Sequence, residues 1–221
     1  MNKKAYTSKY KSSNASNEPN QAPFAVVEAY KAIRTNVLFS LTQETDKIIS
    51  ISSSLPGEGK SSCAVNLAIA FSQLGSKVLL IDADLRRPSV YRKLKLQNNN
   101  GLSSVLVGFC NIADAVHHLN PNFDVLTSGP IPPNPAELLG SENMKTLLES
   151  LTKVYNYIII DTPPINIVTD AMIVAKQTSG LVLVAKNRDT THEQLKKAFE
   201  TISDWMMKIA TPAAAVAVGT G

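Results

Sequence analysis

The chain has 221 residues, of which 44% are hydrophobic and 18% are charged, and its formal net charge is +4 at pH 7. This length and composition are typical of a single globular domain with a well-buried core. The net charge is only mildly positive, and the sequence does not interleave aromatic and basic residues as nucleic-acid-binding proteins do. No nucleic acid is therefore expected as a partner. No apolar run could span a bilayer, and the first residues lack the apolar centre of a signal peptide, which predicts a cytoplasmic protein.

In chain order, the sequence begins with a polar segment rich in Ser, Asn and Lys, which predicts a disordered arm over residues 1–23. Apolar residues at helical spacing then predict a helix over residues 26–41.

The adjacent histidines His117 and His118 lie much further along the chain. If they were on a helix, their side chains would diverge by about 100° and could not readily share a metal ion.

The remainder alternates short apolar, β-branched runs with helical stretches. Strands are predicted at residues 48–51, 77–81, 123–126, 157–160 and 180–185, and helices near 63–74, 143–154, 170–177 and 191–202. This alternation predicts an α/β fold with a mainly parallel sheet and helices on both faces. In such a sheet, ligands bind at the carboxyl ends of the strands.

The first strand runs into a glycine-rich segment, residues 54–62, which is followed by a predicted helix. This context is typical of a phosphate-binding loop (P-loop), although Ser54 stands where the usual pattern has Gly. Lys60 would reach the β- and γ-phosphates of ATP, and Ser61 would offer its hydroxyl to Mg²⁺. The predicted nucleotide contacts are Pro56, Gly57, Glu58, Gly59, Lys60, Ser61 and Ser62.

Acidic residues follow two other predicted strands. Asp82 and Asp84 come after residues 77–81, and Asp161 comes after residues 157–160. Carboxylates beside a P-loop suggest a Mg²⁺ site and a catalytic base. Asp82 and Asp161 are expected to hold Mg²⁺ with Ser61, and the predicted catalytic set is Lys60, Asp82, Asp84 and Asp161. For each aspartate alone, a helix cap or a turn residue is the alternative interpretation.

Together these motifs resemble the Walker A, A′ and B motifs of the bacterial tyrosine kinases of capsule and exopolysaccharide synthesis. The resemblance covers roughly residues 24–199 and includes three further stretches: residues 28–36, residues 100–102 and the proline-rich residues 129–139. The proline-rich stretch predicts an extended loop that ends in a helix start near Pro135 or Ala136. The resemblance implies a P-loop NTPase-like kinase domain over residues 24–204, dependent on ATP and Mg²⁺, in which Asp84 orients or deprotonates the incoming tyrosine hydroxyl.

The resemblance also implies partners. It implies a homo-oligomer, in the family a ring, with intersubunit contacts from Glu28, Lys31 and Arg34, where Lys31 replaces an arginine and loses its planar fork. Without the family, Glu28 and Lys31 would be an ordinary surface pair on a helix. A transmembrane adaptor would recruit this cytoplasmic kinase to the inner face of the membrane and stimulate it, and tyrosine-containing proteins would be its substrates.

The carboxyl-terminal end departs from the family, whose tyrosine-rich tail supplies autophosphorylation sites. No tyrosine follows Tyr157, so residues 205–221 are expected to form an atypical tail, in which residues 213–218 predict either a short strand or a frayed end. Tyr6 and Tyr10 are alternative acceptors. Two further functions stay open: an ATP-gated assembly scaffold without tyrosine transfer, or a partition-type ATPase switch. Leu55 counts against the switch, because that class carries a lysine there.

Overall fold

A computed structural model describes residues 24–41, 48–206 and 214–220 of the chain. The predicted amino-terminal arm, with Tyr6 and Tyr10, lies outside the described residues. The helices are α1 (Phe24–Ser40), α2 (Lys60–Ser72), α3 (Val90–Lys93), α4 (Leu102–Leu106), α5 (Ile112–Ala115), α6 (Pro135–Leu139), α7 (Glu142–Leu151), α8 (Asp170–Ala175) and α9 (His192–Met206). The start of α6 at Pro135 confirms the predicted helix start, since proline fits the first position of a helix.

Within the described residues, seven strands form one sheet in the order β3-β4-β2-β5-β1-β6-β7. The strands are β1 (Ile48–Ser53), β2 (Val78–Asp82), β3 (Val116–Asn120), β4 (Phe123–Leu126), β5 (Tyr157–Asp161), β6 (Gly180–Lys186) and β7 (Ala214–Thr220). All neighbouring strands pair in parallel except β3 and β4. The mainly parallel α/β sheet is therefore confirmed.

The central strands are buried on both faces, which explains their continuous apolar runs. Successive side chains of a strand point to opposite faces, so Leu80 and Ile159 join one hydrophobic cluster while Leu79 and Ile158 join the other. The first cluster lies against α1 and α2, and the second lies against α7. Helices on both faces thus exclude water from the strands that carry the predicted site.

At two segments the structure settles what the sequence left uncertain: one prediction is wrong, and one of two alternatives is confirmed. The helical setting considered for His117 and His118 is wrong, because both lie on β3, which pairs antiparallel with β4 at the edge of the sheet. A turn in which Asn122 N donates to Asn120 Oδ1 at 2.9 Å joins these strands, and it supplies the local signal that reverses the chain. At the carboxyl end, residues 214–220 form β7 beside β6, so the strand alternative is confirmed.

Two of the stretches that carry the family resemblance outside the motifs, residues 100–102 and 129–139, meet at their glycines. A Cβ atom on Gly101 would lie 2.2 Å from the backbone nitrogen of Gly129 and 2.3 Å from the carbonyl oxygen of Thr127. The amide of Asn98 completes the contact, since it accepts from Gly129 N and donates to Gly129 O, each at 2.9 Å. Only glycine permits this close main-chain approach.

Candidate functional site

The three motifs meet because β2, β5 and β1 are neighbours in the sheet. Asp161 pairs in register with Ile51 of β1 and with Asp82 of β2. All three strands are parallel, so their carboxyl ends lie at one edge. Thr162 N donates to Ile51 O at 2.9 Å, which fixes the loop after β5 against β1.

The P-loop follows β1 and its last three residues form the start of α2. Gly57 and Gly59 have φ angles of 86° and 91°, a left-handed conformation that favours glycine. Gly59 is the N-cap of α2 and has no side chain to satisfy the first N–H groups of the helix. These donors and the positive end of the helix can therefore bind an anion.

Glu58 differs from its neighbours in the P-loop because its side chain turns into the protein. The residue is 4% exposed, and its carboxylate accepts hydrogen bonds from Leu55 N at 2.9 Å and from the hydroxyl of Thr190. The backbone of Glu58 remains part of the loop, while its side chain stabilises the loop through these hydrogen bonds on the side away from the cleft. The other predicted nucleotide contacts, from Pro56 to Ser62, line the adjacent cleft.

Lys60 lies between two carboxylates. Its Nζ is 2.8 Å from Asp84 Oδ2 and 3.3 Å from Asp161 Oδ1, and it donates to Ser61 Oγ at 3.2 Å. Burial acts to lower the pKa of Lys60, but attraction to Asp161 and Asp84 outweighs it and raises the pKa above its usual value. Lys60 is therefore a buried, charged ammonium group.

Asp161 and Asp82 are both fully buried. Burial raises the pKa of Asp161, although attraction to Lys60 and a hydrogen bond from Ser61 oppose the rise. Burial also raises the pKa of Asp82, and repulsion from Asp161 adds to the effect. A bound cation would relieve this repulsion, because it would neutralise carboxylates that are crowded together in a poorly solvated place.

Asp82 also serves as a cap, which was the alternative interpretation from sequence. Its Oδ2 accepts from Ser89 N at 3.1 Å and from Val90 N at 3.0 Å, at the start of α3. Its Oδ1 accepts from Asp84 N at 3.2 Å. Asp82 thus shapes the loop after β2 and positions Asp84. In this position, Asp84 Oδ1 accepts a hydrogen bond from Arg87 N at 3.0 Å.

The donor set suits Mg²⁺, which prefers oxygen ligands. Ser61, Asp82 and Asp161 offer a hydroxyl and carboxylates at the same edge of the sheet. Among the described residues, no group of three or more His, Cys, Asp or Glu side chains could hold a metal ion by itself. Mg²⁺ usually retains water and binds through one or two carboxylates together with substrate phosphates, so the residues present fit this ion.

The site opens into a cleft of about 720 Å³. The P-loop, Asp84 and the loop after β5 form part of its wall, and Ile167 adds apolar surface. Sequence reasoning missed two polar contacts here. Lys93 Nζ donates to Ser62 Oγ at 2.8 Å, and Arg86 forms a two-pronged pair with Asp170 at 2.8 and 3.0 Å. Neither contact joins neighbours in sequence, so no local pattern could have indicated them.

The predicted oligomer contacts lie on α1 and do not line the cleft. Lys31 Nζ is 2.7 Å from Glu28 Oε1, and both side chains are about half exposed, which confirms the surface pair. Arg34 instead donates to the carbonyl of Ala70 on α2. Of the helices in the described part of the chain, none is both long enough and apolar enough to cross a membrane.

Comparisons with known proteins agree with this geometry. The family model described as "AAA domain" matches residues 46–209. The tyrosine-protein kinase YwqD of Bacillus subtilis (strain 168) is 48% identical over 183 residues, which are 82% of this chain and 77% of YwqD. The crystal structure of the chimerical protein CapA2B2 superimposes with a TM-score of 0.78 at 39% identity and covers 85% of this chain and 83% of that one. The kinase domain of Escherichia coli tyrosine kinase ETK gives a TM-score of 0.78 at 32% identity, with coverages of 88% and 76%.

Proposed function

The chain belongs to the bacterial tyrosine-protein kinases, and we propose that residues 24–204 transfer the γ-phosphate of ATP to tyrosine hydroxyls in the control of capsular or exopolysaccharide synthesis and export. The observation that supports the reaction is the position of Lys60, which lies between Asp84 and Asp161 at the end of the P-loop. Phosphoryl transfer needs mainly positioning and charge stabilisation, and this site offers both.

The chain's own residues divide the work as follows. The N–H groups at the start of α2 bind the phosphates of ATP, and Lys60 leaves Asp84 to contact the β- and γ-phosphates. Asp84 is then free to accept the proton of the tyrosine hydroxyl, whose ordinary pKa is about 10. Ser61, Asp82 and Asp161 would hold Mg²⁺. When bound, this ion neutralises charge on the phosphates.

We extend the proposal to partners and location. A homo-oligomer would use Glu28 and Lys31, whose side chains are about half exposed, together with Arg34. A transmembrane adaptor would bring the kinase to the inner face of the cell membrane and stimulate it, which the similarity to the chimerical protein CapA2B2 supports. The assembly scaffold and the partition-type switch are not favoured, because the relatives that match most of this chain are named tyrosine-protein kinases.

The test is transfer of labelled γ-phosphate from ATP, with Mg²⁺ and the cytoplasmic segment of a cognate adaptor, to a tyrosine peptide whose flanking residues are uncharged. Lys60→Met should lower the rate by roughly 10²- to 10³-fold, because a charge placed for the transition state is removed. Lys153→Met is the matched control, since Lys153 is exposed and precedes β5, at the end of the strand opposite the cleft. Tight ATP binding without phosphotyrosine in any variant would refute the kinase proposal and favour a nucleotide-gated scaffold.

A further inference from the structure

Positive charge is concentrated in one exposed segment beside the cleft. Half of residues 86–95 are cationic, and residues 85–113 contain no Asp or Glu. The cationic residues, all exposed, are Arg86, Arg87, Arg92, Lys93 and Lys95. A segment of this kind produces a local positive field that the modest net charge of the whole chain does not reveal.

Three of these residues face the site. Arg86, Arg87 and Lys93 line the cleft together with Lys60 and Asp84, and we call these three the basic rim. Lys93 is tied to the start of α2, because its Nζ donates to Ser62 Oγ at 2.8 Å. The basic rim therefore lies next to the place where a tyrosine must approach Asp84.

The charges of the basic rim are balanced unequally. Arg86 is neutralised by the buried carboxylate of Asp170, with N to O distances of 2.8 and 3.0 Å. The ion pairs of the described residues include no acidic partner for Arg87 or Lys93. Lys60 already has Asp84 and Asp161. Two uncompensated positive charges thus remain on the wall of the cleft, at Arg87 and Lys93.

We propose that the basic rim selects tyrosines with acidic neighbours in the substrate chain. The inference rests on the proposed kinase function and names the substrate class of that same site. A Glu or Asp beside the tyrosine would pair with Arg87 or Lys93 through a charge-assisted hydrogen bond. Such pairs raise the rate of encounter and reject like-charged partners, so they act on the choice of substrate more than on the chemical step.

The positive charge of the basic rim also disfavours the chain's own amino-terminal tyrosines as acceptors. Tyr6 and Tyr10 are accompanied by Lys3, Lys4, Lys9 and Lys11, and the first acidic residue of the chain is Glu18. A basic segment would meet the uncompensated charge of the basic rim. Like charges brought together in this way oppose binding.

The experiment compares two peptides with the same central tyrosine, flanked by Glu or by Ser, and a third peptide of the natural residues 2–13, which carries Tyr6 and Tyr10. The full chain is used as the wild type, R87Q, K93Q, the double variant, and K153Q as the matched charge control. Steady-state kinetics give KM and kcat for each peptide and for ATP. Fluorescence anisotropy of labelled peptides, without ATP, gives affinity independently of catalysis.

The wild type should prefer the Glu-flanked peptide and use residues 2–13 poorly. Each rim substitution should raise KM for the Glu-flanked peptide roughly two- to five-fold, as expected for one exposed ion pair, and leave kcat and the KM for ATP unchanged. The double variant should lose the preference, and K153Q should keep it. Added salt should weaken binding of the Glu-flanked peptide only, because salt screens exposed charges.

Three results would overturn the proposal. A parallel rise in KM for ATP would assign the rim to the nucleotide, and an equal rise for the Ser-flanked peptide would remove the charge selection. Rim-dependent binding to vesicles of phosphatidylcholine and phosphatidylglycerol, with peptide KM unchanged, would assign it to a membrane. If no variant phosphorylates any peptide, the kinase proposal fails, and anisotropy still decides whether the rim selects acidic peptides.

Discussion

Two buried aspartates at opposite ends of the parallel sheet are held in different ways. Asp161, at the carboxyl end of β5, is fully buried beside Asp82 and contacts Lys60. Asp124, near the amino end of β4, is 3% exposed and accepts from the hydroxyl of Tyr155 at 2.7 Å, while His118 Nδ1 lies 2.7 Å from its other oxygen.

The difference shows how a buried carboxylate serves structure or reaction. Asp124 is satisfied by hydrogen-bonding groups fixed by strand pairing, so it holds β3, β4 and the start of β5 together. Asp161 is crowded by other carboxylates and depends on the ammonium group of Lys60, a long side chain that can exchange partners. Buried carboxylates whose charge is only partly compensated when no ligand is bound are typical of functional sites.

Neutralising either carboxylate should have the largest effect, and a different one at each site. Asp161→Asn should lower phosphotransfer at least roughly a hundred-fold, because a charge placed at the reacting phosphates is lost, and should preserve the fold since Lys60 keeps Asp84. Asp124→Asn should do the opposite, with near-normal kcat and a free energy of unfolding lower by roughly 1–2 kcal/mol. Urea unfolding and peptide kinetics on both variants measure this, and equal effects on both quantities would contradict the division of roles.

Removing the hydroxyl partner of Asp124 should affect stability and leave the reaction intact. Tyr155→Phe leaves a buried carboxylate without its hydroxyl donor, so the free energy of unfolding should fall by roughly 1.5–3 kcal/mol at neutral pH, measured by urea unfolding. The KM for ATP should stay unchanged, because Tyr155 precedes β5 at the end of the strand away from the cleft. An unchanged unfolding midpoint would show that Asp124 is stable without the phenol.

The pH dependence of stability gives a smaller effect with a defined sign. Burial and the hydrogen bond to Asp124 raise the pKa of Tyr155, so the folded chain holds the phenol proton more tightly than the unfolded chain does. The contribution is full below the unfolded tyrosine pKa of about 10 and declines as the pH rises above it. Urea midpoints of the wild type and Tyr155→Phe should therefore converge between about pH 8 and about pH 11. A constant gap would contradict the shift.

The smallest effect is expected from His118. Its side chain is 70% exposed, so solvent already competes for the contact with Asp124. His118→Asn should lower the free energy of unfolding by less than about 1 kcal/mol, by the same urea measurement. A loss as large as that of Tyr155→Phe would show that the edge strand β3, and not the phenol, holds the carboxylate.

The sequence allowed the site edge to be predicted because its signals are local. Each apolar run that ends in Asp82, Asp161 or the P-loop carries its own strand and loop pattern, and a parallel sheet then brings the ends together. The edge strand β3 was missed because its residues are partly exposed and show no strong alternation. For β7, alanine content left a strand and a frayed end equally open, and pairing with β6 decides between them.

The finer features of the site depend on contacts between distant parts of the chain. Glu58 belongs to the P-loop by sequence, yet its carboxylate bonds to Thr190 after β6. Arg86 pairs with Asp170 of α8, which lies 84 positions away in the sequence. Such partners follow from tertiary packing, which no pattern of neighbouring residues encodes.

Gly101 has no reactive side chain, yet its position tolerates little substitution. We expect Gly101→Ala to act as a wedge between two loops, because its methyl group would fall 2.2 Å from a backbone nitrogen that cannot move alone. A strain carrying this allele would retain every ionisable group of the nucleotide site and lose the protein as temperature rises, which the amount of intact protein in cells grown at two temperatures would measure. Among substitutions selected for retained kinase activity, position 101 would therefore stay glycine although it has no side chain to lose.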